Sequence, residues 1–288
     1  LGFSFAFSSS VVNVTRYFHT KRALAIGVAV AGSGVGNIAM PVILQQLIDS
    51  LGWRAAVRVV AAGSAVLVFS AAAVYAPVRG GAVTSGDAAS KEDAVAQGEE
   101  LAVQDEVDLS KDEGLLIAAA VFSFGYFSPF VFLVRYAKAD GASEARAAVV
   151  VSVIGVSSTI GRILFGRLAD LPCVNSFLLF KASVVITGVS VMIMSISGSV
   201  GLLITMAVPF GMFGGTFIAL MPVVVHDLVG HRLLPQSLGA VYAVQILSVL
   251  LGPPAAGLVV EAQDGYSLAF ALAGLFMFLS SLVLLWKP

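Results

Sequence analysis

Nine long apolar segments run through the sequence, and they limit what the chain can fold into. A helix needs roughly 20 apolar residues to cross the hydrocarbon core of a bilayer. Strands of a membrane barrel alternate apolar with polar residues, whereas these segments are apolar on every side. The sequence therefore predicts an all-α polytopic membrane protein, with spans at about 1–18, 23–48, 54–77, 114–137, 146–169, 175–197, 200–225, 235–260 and 266–286.

Composition excludes several other classes of protein. Hydrophobic residues make up 58% of the chain and charged residues only 11%, whereas a soluble domain carries roughly 25% charged residues. The net charge of -1 offers no basic surface for nucleic acid. Cys173 is the single cysteine, which excludes an intrachain disulfide.

No catalytic Ser/His/Asp set, phosphate-binding glycine loop or metal cluster is found, so we expect neither an enzyme nor a bound cofactor. The chain begins at Leu1 inside an apolar segment, and we expect no signal peptide.

Acidic residues are concentrated between the third and fourth spans. Residues 80–113 hold ten of the 17 acidic residues, opposed there only by Lys91 and Lys111. Such a segment buries too little apolar surface to fold, which predicts a disordered linker. Connections on the linker's side of the membrane carry nine basic residues, and those on the other side carry five. This bias predicts that the linker and the C-terminus are cytoplasmic.

One charged residue, Arg162, lies deep inside an apolar span. It precedes Asp170 by eight residues, which places it about 12 Å from the interface and near the midplane of the bilayer. A guanidinium there costs at least about 2.5–3.5 kcal/mol and keeps its proton, so it must face a watery cavity or a partner. The planar, bidentate cation suits a carboxylate. A cavity is favoured by small or hydroxylic neighbours at helical spacing on the same face: Gly155, Ser158, Thr159 and Gly166.

Four separated motifs resemble the monocarboxylate transporter family of the major facilitator superfamily. "RYFHTKRALAIGVAVAGSGVG" at 16–36 and "LGWRAA" at 51–56 resemble the region of its fourth to sixth spans. "GRILFGRLAD" at 161–170 resembles its eighth span, and "LLGPPAAGLVVEAQDGY" at 250–266 its eleventh. The motifs occur in the family's order and cover the chain.

The resemblance implies a twelve-span fold in two six-helix bundles with a long cytoplasmic loop between them. Residues 1–79 would be the C-terminal half of the first bundle, 80–113 the linker, and 114–288 the second bundle. The nine spans would match helices four to twelve, so helices one to three would be missing from this sequence. The family's function implies a transporter in the plasma membrane that moves a small organic anion through the lipid bilayer by alternating access. Whether an accessory membrane protein is needed is left open.

The resemblance also assigns roles to individual residues. The substrate site would be lined by Arg162, Ser158 and Phe217. Phe217 belongs to the segment "GMFGGTFIAL" at 211–220. Gly166, Arg167 and Asp170 would belong to a loop motif that latches neighbouring helix ends. Symport members of the family carry an aspartate where this chain has Ser158, and a serine cannot take up a proton at physiological pH. We therefore expect transport to depend only weakly on a proton gradient.

Several other residues are less specific candidates for a functional role. Lys181 is expected to extend toward the membrane surface, and three aromatic residues beside Pro129 could form a cavity wall: Tyr126, Phe127 and Phe130. His226, Asp227 and His231 would lie in a short connection and contribute interface polarity, since a metal site would need a fourth ligand.

Three functions are compatible with the sequence. The leading one is a secondary transporter of a monocarboxylate or related organic anion. The alternatives are a uniporter of amino-acid-like or other carboxylate-bearing compounds, and a truncated membrane protein that does not transport. Likewise, Arg162 could form a structural pair with an acid on a helix outside the sequence.

Overall fold

A computed structural model describes Val14, residues 21–74 and residues 109–286. These residues form helices, and no strand occurs among them. The helices are α1 (Arg22–Leu51), α2 (Trp53–Val74), α3 (Leu109–Ala139), α4 (Glu144–Ala169), α5 (Ser176–Met194), α6 (Val200–Gln263) and α7 (Ser267–Trp286). Seven helical segments of the described part are long and apolar enough to cross a membrane. The all-α polytopic prediction is therefore confirmed.

The observed helix ends differ from the predicted spans by a few residues at most positions. α3 begins at Leu109, inside the predicted 80–113 linker, and the remainder of that linker lies outside the described residues. The predicted first span, 1–18, also falls outside them apart from Val14. The predicted spans at 200–225 and 235–260 belong to one helical run, α6, with apolar segments Val200–Gly230 and Leu233–Gln263.

Gly230 is the point at which the helical backbone of α6 is interrupted. Its φ of 75° and ψ of -179° lie in a region that residues with a Cβ rarely adopt. The sequence predicted a connection at 226–234, but the helix continues through His226 and Asp227. The predicted connection is therefore reduced to the residues next to Gly230.

The described residues fall into two units. One comprises residues up to Pro41 together with Asp112–Pro288, and the other comprises Val42–Lys111. In the second unit, α2 exposes large apolar side chains such as Leu67 and Phe69, and the Arg54 guanidinium lies 5.0 Å from the centroid of the Trp53 ring. In the first unit, α4 packs against α6, and α5 packs against α6 and α7.

Small residues allow α4 and α6 to approach each other closely. A Cβ atom added at Gly215 would lie 2.6 Å from the Ser158 carbonyl oxygen, and one at Gly161 would lie 2.2 Å from that of Met212. Interfaces between membrane helices commonly use small residues in this way, because backbone contact replaces the hydrophobic driving force that lipid removes. The close contact fixes α4, and with it Arg162, against α6.

The ends of α4 and α5 carry caps that the sequence explains. Asn175 accepts hydrogen bonds from the backbone N–H groups of Phe177 and Leu178, at 2.9 and 3.2 Å. Such a side chain satisfies donors that the first turn of a helix leaves without partners. Glu144 stands in the first turn of α4 and Arg167 in its last turn, both with the charge that the helix dipole favours.

Candidate functional site

Arg162 is buried in the middle of the first unit, with only 3% of its surface exposed. Its Nη1 donates a 2.7 Å hydrogen bond to the Val30 carbonyl oxygen and another to the Ser33 hydroxyl. Both partners belong to α1. Among the described residues, no Asp or Glu pairs with Arg162, and its buried Nε has no hydrogen-bond partner. The guanidinium is thus only partly satisfied by the part of the chain that is described.

A cavity of about 330 Å³ lies beside Arg162, between α3 and α4. This volume falls at the lower end of the range of roughly 300–1,000 Å³ that is usual for ligand pockets. Aromatic side chains of α3 form one wall, and Ser158 and Arg162 supply the polar groups of the other. The described residues that line it are Tyr126, Phe127, Phe130, Val151, Ile154, Gly155, Ser158 and Arg162.

The aromatic wall is held in place by ring contacts. The Tyr126 centroid lies 5.3 Å from that of Phe127 and 5.4 Å from those of Phe130 and Phe210. Separations of this size are favourable for aromatic pairs. Gly214 of α6 allows Tyr126 to approach, since a Cβ atom there would lie 2.7 Å from the tyrosine ring. The structure therefore places the three aromatic residues beside Pro129 at the same cavity as Arg162.

The stripe of small residues on α4 does not face this cavity along its whole length. Gly155 and Ser158 line the cavity, but Thr159 and Gly166 face α1. A Cβ atom added at Gly34 would lie 2.0 Å from the Thr159 hydroxyl oxygen, and one at Gly166 would lie 2.8 Å from the Ala23 carbonyl oxygen. The interpretation of one continuous cavity face is wrong, because small residues also permit close contact between helices.

Asp170 lies where the end of α4 meets the beginning of α1. Its two carboxylate oxygens accept hydrogen bonds of 2.9 and 2.8 Å from the backbone N–H groups of Ala23 and Leu24. A carboxylate is stabilised at this position because the first turn of a helix offers free N–H donors and a partial positive charge. Arg167 is exposed and forms no hydrogen bond with another described residue. The latch role of Gly166, Arg167 and Asp170 stays a prediction.

Phe217 is not among the residues that line the Arg162 cavity. It is buried between Phe122 and Phe180, whose ring centroids lie 3.9 and 5.1 Å from its own. Chains with many phenylalanines place most of them in packing positions, and this one contains 19. The substrate-contact role of Phe217 stays a prediction that the cavity geometry does not support.

The remaining polar residues lie away from the cavity. The Lys181 ammonium stands 4.4 Å from the Phe177 ring centroid, toward the start of α5. His226 Nδ1 lies 2.7 Å from Arg22 Nη1 and 3.5 Å from Asp227 Oδ1. No group of three metal-ligating side chains occurs in the described part of the chain. The side chain of His231 lies outside the described set.

Sequence reasoning missed the partners of Arg162. Val30 contributes a backbone carbonyl, which has no signature in the sequence. Ser33 follows Gly32 within "AGSG", where it is easily taken for another small packing residue. Its hydroxyl also donates a 2.9 Å bond to the Val30 carbonyl oxygen, so that carbonyl receives two side-chain donors.

Comparisons with known proteins agree with this architecture. A family model for the Major Facilitator Superfamily matches residues 1–182. Monocarboxylate transporter 12 of Homo sapiens is 29% identical over 308 residues, an alignment that covers 99% of this chain and 60% of the relative. Monocarboxylate transporter 10 of Homo sapiens is 32% identical over 296 residues, covering 100% of this chain and 57% of the relative.

The chain therefore belongs to the Major Facilitator Superfamily, as a member of its monocarboxylate transporter family. This confirms the resemblance seen in the sequence, and it establishes a multi-pass integral membrane protein of a transporter family, not an enzyme family. The chain spans less than two thirds of the length of these relatives: 60% of the first and 57% of the second.

Proposed function

We propose that this chain is part of a secondary transporter that moves a monocarboxylate or related organic anion by alternating access. The observation that carries the proposal is the buried Arg162 beside a cavity with an aromatic wall. Arginine stays charged even when buried, and it binds carboxylates through paired N–H groups. The substrate carboxylate would bind Arg162, and its apolar body would pack against Tyr126, Phe127 and Phe130.

Ser158 gives the proposed site a further property. It is the residue of the cavity that stands one turn before Arg162, and it has no acidic proton to exchange at physiological pH. Among the described residues that line the cavity there is no Asp or Glu. Transport that depends only weakly on a proton gradient follows from this, which keeps a uniporter of amino-acid-like carboxylates as the second candidate function.

The transport proposal is tested with the full-length protein in proteoliposomes and three labelled probes: lactate, phenylpyruvate and phenylalanine. We expect uptake of at least one carboxylate probe above that of protein-free vesicles, with little change when an inward proton gradient is imposed. Absence of uptake of all three would contradict the transporter proposal. Strong stimulation by the gradient, abolished by a protonophore, would contradict the inference from Ser158.

The linker and the C-terminus are proposed to be cytoplasmic, with the protein in the plasma membrane. The exposed Cys173 lies between α4 and α5, on the linker's side of the membrane by the count of basic residues. In a full-length protein with no other cysteine, a membrane-impermeant maleimide should label Cys173 only after permeabilisation. A matched variant, Asp140→Cys with Cys173→Ser, should be labelled in intact cells. The reverse pattern would overturn the orientation.

A further inference from the structure

We infer that Ser33 is a positioning residue: it and the Val30 carbonyl hold one side of the Arg162 guanidinium, so that the Nε–Nη2 edge receives the substrate carboxylate. This inference rests on the proposed function of Arg162 as the anion-binding residue. It adds a residue of α1, from before the linker, to a site whose described lining residues belong to α3 and α4.

The hydrogen-bond pattern divides the guanidinium into two parts. Nη1 donates to the Val30 carbonyl oxygen at 2.7 Å and to the Ser33 hydroxyl. Within the planar guanidinium, Nη1 is on the same side as Cδ. The Nε–H group and Nη2 form the opposite edge of the plane. Nε is buried and has no partner among the described residues. A buried donor without a partner is unfavourable, and a carboxylate could bind Nε and Nη2 through two parallel hydrogen bonds.

Close contact between α1 and α4 makes this arrangement rigid. A Cβ atom added at Gly27 would lie 2.3 Å from the Arg162 carbonyl oxygen, so the two backbones are in contact at the level of the arginine. The Ser33 hydroxyl is fixed in turn by its 2.9 Å bond to the Val30 carbonyl oxygen. A long side chain such as arginine loses considerable rotamer freedom on binding unless it is already ordered. Anchoring Nη1 therefore prepares the other edge for the ligand.

The arrangement also ties substrate binding to the position of α1. Where α1 stays against α4, Nη1 is held by both partners and the Nε–Nη2 edge keeps one orientation. Where α1 moves away, Arg162 loses both partners on that helix and gains freedom to turn. Because α1 precedes the linker and α4 follows it, Ser33 would make the affinity for carboxylate depend on the contact between these two parts of the chain.

The test uses the full-length transporter in proteoliposomes and the carboxylate probe that the parent takes up. Competitors are phenylacetate, which carries a carboxylate, and phenylacetamide, its neutral counterpart. Ser33→Ala should weaken inhibition by phenylacetate about threefold to tenfold, which is the scale of the net contribution of one ordinary hydrogen bond, because Ser33 acts on the ligand only through Arg162. Inhibition by phenylacetamide and the maximal rate should change little. Ser33→Thr keeps the hydroxyl and should restore the parent value.

A matched control is Ser152→Ala on α4. Ser152 is also an exposed serine whose hydroxyl donates a hydrogen bond to a backbone carbonyl, that of Ala148 at 3.2 Å, but the hydrogen bonds of Arg162 go to Val30 and Ser33. This variant should be inhibited like the parent by both competitors. Equal weakening of both competitors by Ser33→Ala, or none for either, would overturn the inference.

The two proposals fail in different ways. If Arg162→Lys transports and binds phenylacetate like the parent, the assignment of Arg162 as the anion site is wrong. If Arg162→Lys loses phenylacetate affinity while Ser33→Ala behaves like the parent, the anion site stands and only the positioning role of Ser33 is wrong.

Discussion

Arg162 and Arg167 lie on the same helix, five residues apart, in opposite environments. Arg162 is buried, is bonded to two groups of α1, and lines a cavity with an aromatic wall. Arg167 is exposed in the last turn of α4, where the helix dipole favours a positive charge. The comparison shows that an arginine in an apolar span cannot be interpreted by its residue type alone. Depth and neighbours distinguish a charge that lies beside a cavity from one that lies at a helix end.

The largest effect should come from closing the space between α1 and α4 at Arg162. In Gly27→Ala the new methyl would lie 2.3 Å from the Arg162 carbonyl oxygen, and a backbone atom cannot move aside without displacing its helix. We expect a loss of stability of about 1–3 kcal/mol, as for other overpacked sites, and loss of transport. Thermal unfolding of the detergent-purified protein and uptake in proteoliposomes would measure both.

Gly32→Ala is the matched control for that variant. It lies on the same helix and has nothing within 4 Å of an added Cβ atom, so it should be neutral or slightly stabilising, because alanine favours helix over glycine by about 1 kcal/mol. Identical behaviour of the two alanine variants would show that the contact between α1 and α4 is not needed, and would remove the basis for contrasting Arg162 with Arg167.

A smaller effect is expected near Arg167, at the end of α4 that meets the N-terminus of α1. Asp170→Asn keeps the shape of the side chain but loses the charge and one of the two acceptors for the N–H groups of Ala23 and Leu24. We expect about 1 kcal/mol of lost stability, with a lower maximal rate and an unchanged KM for the transported probe. Stopped-flow uptake at several probe concentrations would separate the two constants.

Asp140→Asn serves as the control, because Asp140 is exposed just after the end of α3 and its substitution should leave both constants unchanged. A raised KM with an unchanged maximal rate in Asp170→Asn would assign Asp170 to substrate binding and would contradict its role at the helix end.

The helices were largely predictable from the sequence, but the construction of the site was not. Long apolar segments indicated most helix positions to within a few residues, because a bilayer demands such lengths. Arg162 was identified because a charge deep in an apolar span is unfavourable unless it faces a polar partner or a watery cavity. The pattern of small residues around it could not separate Ser158, which faces the cavity, from Thr159, which faces α1. Small residues serve both surfaces, and only the packing of the helices decides between them.

The aromatic residues illustrate the same limit. Phe217 and Phe130 are both phenylalanines within apolar spans, yet one is stacked between Phe122 and Phe180 and the other lines the cavity. Helical periodicity does not distinguish a buried face that meets another helix from one that meets a cavity. That distinction depends on the three-dimensional arrangement of α3, α4 and α6.

The most direct test of the central claim compares Arg162→Lys with Arg167→Lys in the full-length protein, at matched amounts in the membrane. Equilibrium binding and uptake of the carboxylate probe are measured for both. Lysine keeps the charge but lacks the planar pair of donors, so Arg162→Lys should lose about 1.5–3 kcal/mol, roughly tenfold to hundredfold in affinity. Arg167→Lys should bind the probe like the parent and change at most the rate of turnover. Parent-like binding by Arg162→Lys, or an equal loss of affinity in both variants, would contradict the assignment of Arg162 as the anion-binding residue.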